Sequence, residues 1–370
     1  MRRPWIVAIP ARNEAARIEG CLRALAEQDG VHAGRVVLLV NNSSDDTARL
    51  ARNVRFPPGV ALDVIEKTLP PALANAGTAR RLVMQHAANS VGHQGVLLTT
   101  DADGLVDPDW VAANLACIDA GADAVAGWVD IFATDWSHIP SRLHQDDARE
   151  CAYDTLCDEI QATLDPDPAD PLPRHTQNSG ASIAVTAHFH AKCGGVPAVT
   201  SGEDRAFIEA LRRVDARIRH APEVHVQVSG RIEGRCKGGM ADTIRRRLIQ
   251  PDEYIDDRLE PAAQCALRAG LRATLRVAYD HGQCQSAPPL AGLANALGIS
   301  PATLAAKLSL PYFGMAWHEV QAAARLLRPQ RVATDDLARE TEAATNILSA
   351  LRQPALMPEL AEQADLVAQS

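Results

Sequence analysis

A chain of 370 residues with 46 Asp and Glu against 37 Lys and Arg, a formal charge of −9, 46% hydrophobic and 22% charged residues is long enough for one large core with an appendage or for two ordinary domains, and its composition excludes a disordered or fibrous protein. The acidity excludes general attraction to a nucleic-acid backbone, so any phosphate has to be met locally, by a metal ion or by placed arginines. Its cysteines form no C-x-x-C pair and no dense framework, which argues against a zinc site or disulfide scaffold and for a reducing, cytoplasmic setting. No charged-then-apolar leader opens the chain and no apolar run reaches about 18 residues, so no membrane span is expected.

In chain order, the apolar β-branched run WIVAIP (5–10) predicts a strand, and residues 13–28 carry apolar positions at helical spacing. A second strand is expected over 35–40, ending in the polar cluster 41–46, with a helix over 47–53; a third over 60–66 leads through a Pro/Gly loop to a helix over 78–88. A fourth, 95–100, runs straight into Asp101. Strands that alternate with helices and are themselves almost wholly apolar predict an α/β fold, a mostly parallel, doubly wound sheet with helices on both faces. Ligands of such sheets bind beyond the carboxyl ends of the strands, and the groups at 12–14, 41–46 and 101–103 all belong to that edge. Residues 141–177 predict a helix followed by a proline-rich loop able to cover a site, and beyond about residue 240 the pattern turns to alanine-rich amphipathic helices. The expected division is a catalytic domain over 1–244 and a C-terminal α-helical appendage over 245–370.

The chemistry concentrates in VLLTTDADGLVDPDW (96–110), where two carboxylates at i and i+2 follow a buried strand and Gly104 permits a tight turn. Carboxylate oxygens at that spacing suit a hard cation, Mg²⁺ or Mn²⁺, which keeps open positions for substrate phosphates. Such a cation bridges a diphosphate and stabilises the charge that grows on it as a sugar departs.

In four segments taken in order, the chain resembles a family-2 glycosyltransferase of the GT-A fold. IPARNEAARIEGCL (9–22) is similar to the family's opening strand and loop, which implies contact of Pro10, Ala11 and Glu14 with the nucleotide base. VNNSSDDT (40–47) resembles the nucleotide-binding turn after the second strand, with Asn41 where an aspartate is common. The turn at 101–103 is the third, with Asp101 approaching the ribose and Asp103 holding the metal. SGEDRAFIEALRRVDARI (201–218) resembles the Glu-Asp motif, which implies Asp204 as the base that takes the acceptor proton in an inverting transfer, with Glu203 as its neighbour or substitute. HTQNSGASIAVTAHFHAKCGG (175–195) is similar to the acceptor-side strand and Gly-Gly turn, with Ser182 where asparagine is common. VHVQVSGRIEGRCKGG (224–239) offers His225 as a further metal ligand, as in some relatives, and Arg231, Arg235 and Lys237 as a clamp on the leaving diphosphate.

The expected partners are a nucleotide-sugar donor, UDP-linked in the first instance, and a small-molecule or carrier-bound acceptor. The helical tail suits either a cap on the acceptor site or a homodimer interface. Two rivals stand. A nucleotidyltransferase would want a glycine- and lysine-rich loop where Ala11-Arg12-Asn13-Glu14 stands, and a non-catalytic binding relative would lack the metal turn or the base, both of which are present.

Overall fold

The structure is a computed structural model, and it describes residues 3–31, 33–231, 240–283 and 290–353. The chain divides into two compact units. One comprises residues 1–140, 173–212 and 216–250, and the other 141–172, 213–215 and 251–370.

The first unit is built on an eight-stranded sheet. Its elements in chain order are β1 (Trp5–Ala11), α1 (Ile18–Ala26), β2 (Gly34–Asn41), α2 (Thr47–Asn53), β3 (Val60–Lys67), α3 (Ala76–Val91), β4 (Val96–Thr99), β5 (Leu105–Val106), α4 (Trp110–Asp119), β6 (Ala124–Ile131) and the short α5 (Ala133–Trp136). After α6 (Ser141–Leu164), which belongs to the second unit, come β7 (Ile183–Thr186), α7 (Ala187–Lys192), α8 (Glu203–Arg213), β8 (Ile218–Val228) and α9 (Met240–Ile249). The helical unit continues with α10 (Ala262–Gln283), α11 (Leu290–Leu297), α12 (Pro301–Leu308), α13 (Phe313–Ala323) and α14 (Leu337–Leu351).

Strand order is β3-β2-β1-β4-β7-β6-β8-β5. The β1, β2, β3 and β4 contacts are parallel, as is β6 with β8, whereas β7 runs antiparallel between β4 and β6, and β5 pairs antiparallel with β8. Side chains alternate across a strand, and β1 shows the result. Trp5, Val7 and Ile9 face one core with α1, α2 and α4; Ile6 and Ala8 face another with α3 and α8. A sheet buried on both faces needs apolar residues at both parities, which is why its strands read as continuous apolar runs.

Register sets the functional edge. Ala11 lies opposite Val40 and Ala8 opposite Thr99, so the loops after β1, β2 and β4 emerge side by side. Because β7 is antiparallel and pairs Ile183 with Thr99, its entry, not its exit, lies at that same edge. The loop after β1 consumes the first turn of the expected helix: Asn13 takes a positive φ of 54°, the N–H groups of Arg17 and Ile18 both donate to the Glu14 carbonyl, and α1 begins only at Ile18.

The helical unit has two cores of its own. Tyr153, Cys157 and Ile160 of α6 pack with α10 and α14, and α10 to α13 enclose Leu297, Phe313 and Val320. Tyr153 donates its hydroxyl to the Glu260 carbonyl. Among the described residues no helix is long and apolar enough to cross a membrane.

Candidate active site

The loops after β1 and β2 are stapled together by side chains that replace missing backbone partners. The Glu14 N–H donates to Thr47 Oγ1 at 2.8 Å, the Ala15 N–H to Asp45, and the Ser44 N–H to Asn13 Oδ1 at 2.8 Å. The Glu14 N–H is buried and needs such an acceptor, which Thr47 supplies at the start of α2, while the other two bonds tie the exposed rims of the loops. Asn41 closes β2 in a buried position, and Pro10 and Ala11 close β1 beside it.

After β4, the chain turns at once: the Gly104 N–H donates to the Asp101 carbonyl at 3.1 Å, presenting both aspartates on one turn. Gly104 does this without a left-handed φ. Asp103 sits almost out of solvent, with its carboxylate 3.2 Å from Arg231, whose fork also donates to both oxygens of buried Glu14 at 2.8 and 2.7 Å. Burial, the neighbouring Asp101 charge and Glu14 push the Asp103 carboxyl up to about 6 against the pull of Arg231. Arg231 faces two carboxylates, Glu14 and Asp103, and Asp101 beside them pairs with Arg80, which also serves Glu203, so carboxylates outnumber guanidiniums and negative charge is left over. Beside them the buried Cys21 thiol is also pushed up, first by burial and then by Asp103, Asp101 and Glu14, and donates to the Asp101 carbonyl at 3.5 Å.

Arg231 is aimed by a residue that the sequence pattern did not flag. Asp135 accepts from Ser229 Oγ at 3.1 Å, from the Gly230 N–H at 3.0 Å and from Arg17 at 3.0 Å. Although burial works the other way, these donors hold the Asp135 carboxyl below its ordinary value. It thereby fixes the turn out of β8.

The structure does not bring His225 to Asp103. β5 pairs antiparallel with β8, Leu105 opposite Gln227 and Val106 opposite Val226, and the Asp107 N–H donates to the His225 carbonyl. His225 is therefore level with Asp107, whereas Asp103 lies toward Ser229 and Arg231. Its Nδ1 is 2.9 Å from Asp107 and its Nε2 3.0 Å from Asp130, so both ring nitrogens are engaged by carboxylates. Arg235 and Lys237 lie outside the described residues.

On the other side of Asp101, the Glu-Asp pair opens α8 and is anchored twice. Asp204 Oδ2 accepts from the Gly180 N–H at 3.0 Å and Oδ1 from the Arg205 N–H at 2.8 Å, with the side chain partly exposed. Glu203 is buried and accepts from Arg80 Nε at 3.1 Å. Arg80 donates also to Asp101, so one guanidinium joins the turn after β4 to the start of α8. Ser182 is fully buried and accepts from Trp110 Nε1 at 2.9 Å, which makes it part of the core packing. Arg80 was legible in principle: within α3 it shares the buried stripe with Val83, Ala87 and Val91, at i, i+3, i+7 and i+11. An arginine in that stripe demands partners.

Among the described residues no three of His, Cys, Asp and Glu converge to hold a metal ion by themselves. The donor set at Asp103 nevertheless suits a hard divalent cation, because its oxygens are carboxylates with unbalanced charge, and such cations take much of their shell from water and phosphate.

The sheet thus gathers acidic turns at the carboxyl ends of β1, β2 and β4, and α8 brings a second acidic pair beside them. Residues 6–167 match the family model described as "Glycosyl transferase family 2". Over that segment the chain is similar to this family. Among solved structures it is similar to S. aureus TarS 1-349, at 15% identity and TM-score 0.45 over 95% of this chain and 92% of that one. It is also similar to the mannosyltransferase PcManGT from Pyrobaculum calidifontis in complex with GDP-Man and Mn²⁺, at 18% identity and TM-score 0.43 over 99% and 86% of the two chains. A third is glucosyl-3-phosphoglycerate synthase from Mycobacterium tuberculosis, in complex with Mn²⁺, UDP and phosphoglyceric acid, at 18% identity and TM-score 0.40 over 68% and 78%. No curated protein matches the chain.

Proposed function

We propose that the protein transfers a sugar, with inversion, from a nucleotide-diphospho-sugar to an acceptor hydroxyl, using Mg²⁺ or Mn²⁺ at Asp103 and with a uridine nucleotide as the first donor to test. The observation that carries this is the meeting of Glu14 and Asp103 at Arg231 at one sheet edge, with Asp101 on the same turn paired to Arg80 and Asp204 held next to it by way of Gly180.

Pro10, Ala11, Glu14 and Asn41 border the nucleotide, and Asp101 and Asp103 face its ribose and diphosphate. When bound, the cation stabilises the negative charge that develops on the leaving diphosphate. Arg231 supplies a planar fork at the same place, suited to phosphate oxygens once the donor competes for it with Glu14. Asp204 takes the proton from the acceptor hydroxyl as that oxygen attacks the anomeric carbon from the side opposite the diphosphate. Its two backbone bonds use half of the roughly four lone-pair sites of a carboxylate, which leaves acceptor capacity on both oxygens. Glu203, buried against Arg80, is the anchor of the pair. The engagement of both His225 nitrogens favours a metal shell completed by phosphate and water over one completed by His225.

The experiment is calorimetric titration with UDP and with GDP, each with Mn²⁺ and with chelator, on the wild type and on Asp103→Ala. Metal-dependent binding of one nucleotide that disappears in the variant is expected. If no nucleotide binds under either condition, the transferase proposal is overturned and the non-catalytic binding relative takes its place.

A further inference from the structure

Among the described residues of the sheet unit, Arg80 is the one arginine or lysine that is buried whole within a helix stripe, at 5% side-chain exposure. Removing a charge from water costs several kcal/mol, more than the roughly 1.5–3 kcal/mol that burial of a neighbour such as Val83 contributes. It is tolerated because the fork is saturated on three sides. Nη2 donates to Asp101 at 2.5 Å, Nη1 to Thr99 Oγ1 and to the Gly180 carbonyl, each at 2.8 Å, and Nε to Glu203 at 3.1 Å. Burial alone would lower its proton affinity, yet Asp101, Glu203 and Asp204 together raise it.

The backbone around the fork is shaped to it. A Cβ on Gly180 would stand 2.6 Å from the guanidinium carbon, and one on Gly77, a turn before Arg80, would stand 2.1 Å from the Val199 carbonyl oxygen. Glycine at both positions lets α3 and the 179–181 turn close on the guanidinium and on the segment leading into α8. Gly180 then completes a relay, because its carbonyl accepts from Arg80 while its N–H donates to Asp204. One positive charge is thus divided between a carboxylate of the donor turn and a carboxylate of the base helix, and the same fork holds the peptide that holds Asp204.

We propose that Arg80 is a positioning residue that couples occupation of the donor site at Asp101 to the placement of Asp204. It rests on the transferase reading above. A donor that draws on Asp101 frees part of the guanidinium for Glu203 and Gly180, which tightens the first turn of α8; by reciprocity, a change at Glu203 alters donor affinity without touching the donor.

The test is a thermodynamic cycle on the full chain. UDP and GDP affinities in the presence of Mn²⁺ are measured by calorimetry for wild type, Glu203→Gln, Arg80→Lys and the double variant, with thermal melts as the folding control. Hydrogen exchange at 179–181 and 203–206 is followed with and without nucleotide. Glu203→Gln is expected to change the nucleotide Kd by about fivefold or more, the scale of ordinary site-to-site coupling, and to have no further effect once Arg80 is Lys. Nucleotide is expected to slow exchange at 203–206 in the wild type only. If Arg80→Lys fails to fold, Gly180→Ala replaces it, since it displaces the fork and keeps every charge. Nucleotide binding with additive variant effects, or with exchange at α8 unmoved, overturns the coupling and leaves the transferase proposal standing. Absence of nucleotide binding in the wild type overturns the transferase proposal, and the coupling with it.

Discussion

Asp103→Asn separates what the acidic turn after β4 costs from what it does. In the nucleotide-free protein the Asp103 carboxyl is pushed up to about 6, by burial first and then by Asp101, against the attraction of Arg231. An unfolded aspartate titrates near 4, so the difference is about two pH units, and at about 1.4 kcal/mol per unit the ionised group destabilises the fold by about 3 kcal/mol above pH 7. The sign follows from proton binding. Between pH 4 and 6 the folded state holds the extra proton, so the stability this group contributes is complete below about pH 4 and is lost as pH rises through about 6. An amide of the same shape cannot ionise, and its oxygen still accepts from Arg231. The variant is therefore expected to be more stable than the wild type by about 3 kcal/mol at pH 8, by about half that at pH 5, and by only a few tenths of a kcal/mol near pH 4. In a unit of this size the gain at pH 8 corresponds to a rise in Tm of roughly 6–12 °C. Urea denaturation in EDTA at the three pH values reads it directly, and nucleotide titration with Mn²⁺ on the same samples should show binding lost. A variant equal to or less stable than the wild type at pH 8 would refute the reasoning, since it would mean that Arg231 more than balances the carboxylates around it.

Asp204→Asn should leave Mn²⁺-dependent nucleotide affinity within about threefold while slowing sugar transfer by about 10²–10⁴-fold, the usual worth of a general base; equal losses in binding and turnover would assign it to donor binding. His225→Gln should keep the metal dependence of nucleotide binding and cost about 1 kcal/mol or less, because its pairs with Asp107 and Asp130 are partly exposed; a calorimetric titration in which Mn²⁺ no longer matters would restore it as a ligand. Gly127→Ala should cost about 2 kcal/mol or more by overpacking, since its Cβ would lie 2.2 Å from Ser182 Oγ and 2.5 Å from the Val224 carbonyl oxygen. A melting temperature equal to wild type would show that β6 and β8 part there easily.

The sequence by itself determined the parallel half of the sheet, because β1, β2 and β4 are buried on both faces and their apolar runs have no other use, and it located the acidic turns, because each follows such a run directly. It determined the Glu-Asp start of α8 as well, where two acids precede an amphipathic helix. Tertiary structure decided the rest. The antiparallel seat of β7 between β4 and β6, which brings Gly180 to Arg80 and Asp204, depends on pairing between strands more than fifty residues apart, and no local pattern encodes that direction. The registers of β5 and β6 on β8 set His225 beside Asp107 and Asp130, while Arg231 reaches Glu14 and Asp103, although in the sequence the two are near neighbours on one strand and its exit. Arg80 shows the division most plainly. Its helix and its buried stripe are written in local periodicity, but the carboxylates that make its burial tolerable come from two distant turns, and only the folded sheet brings all three together.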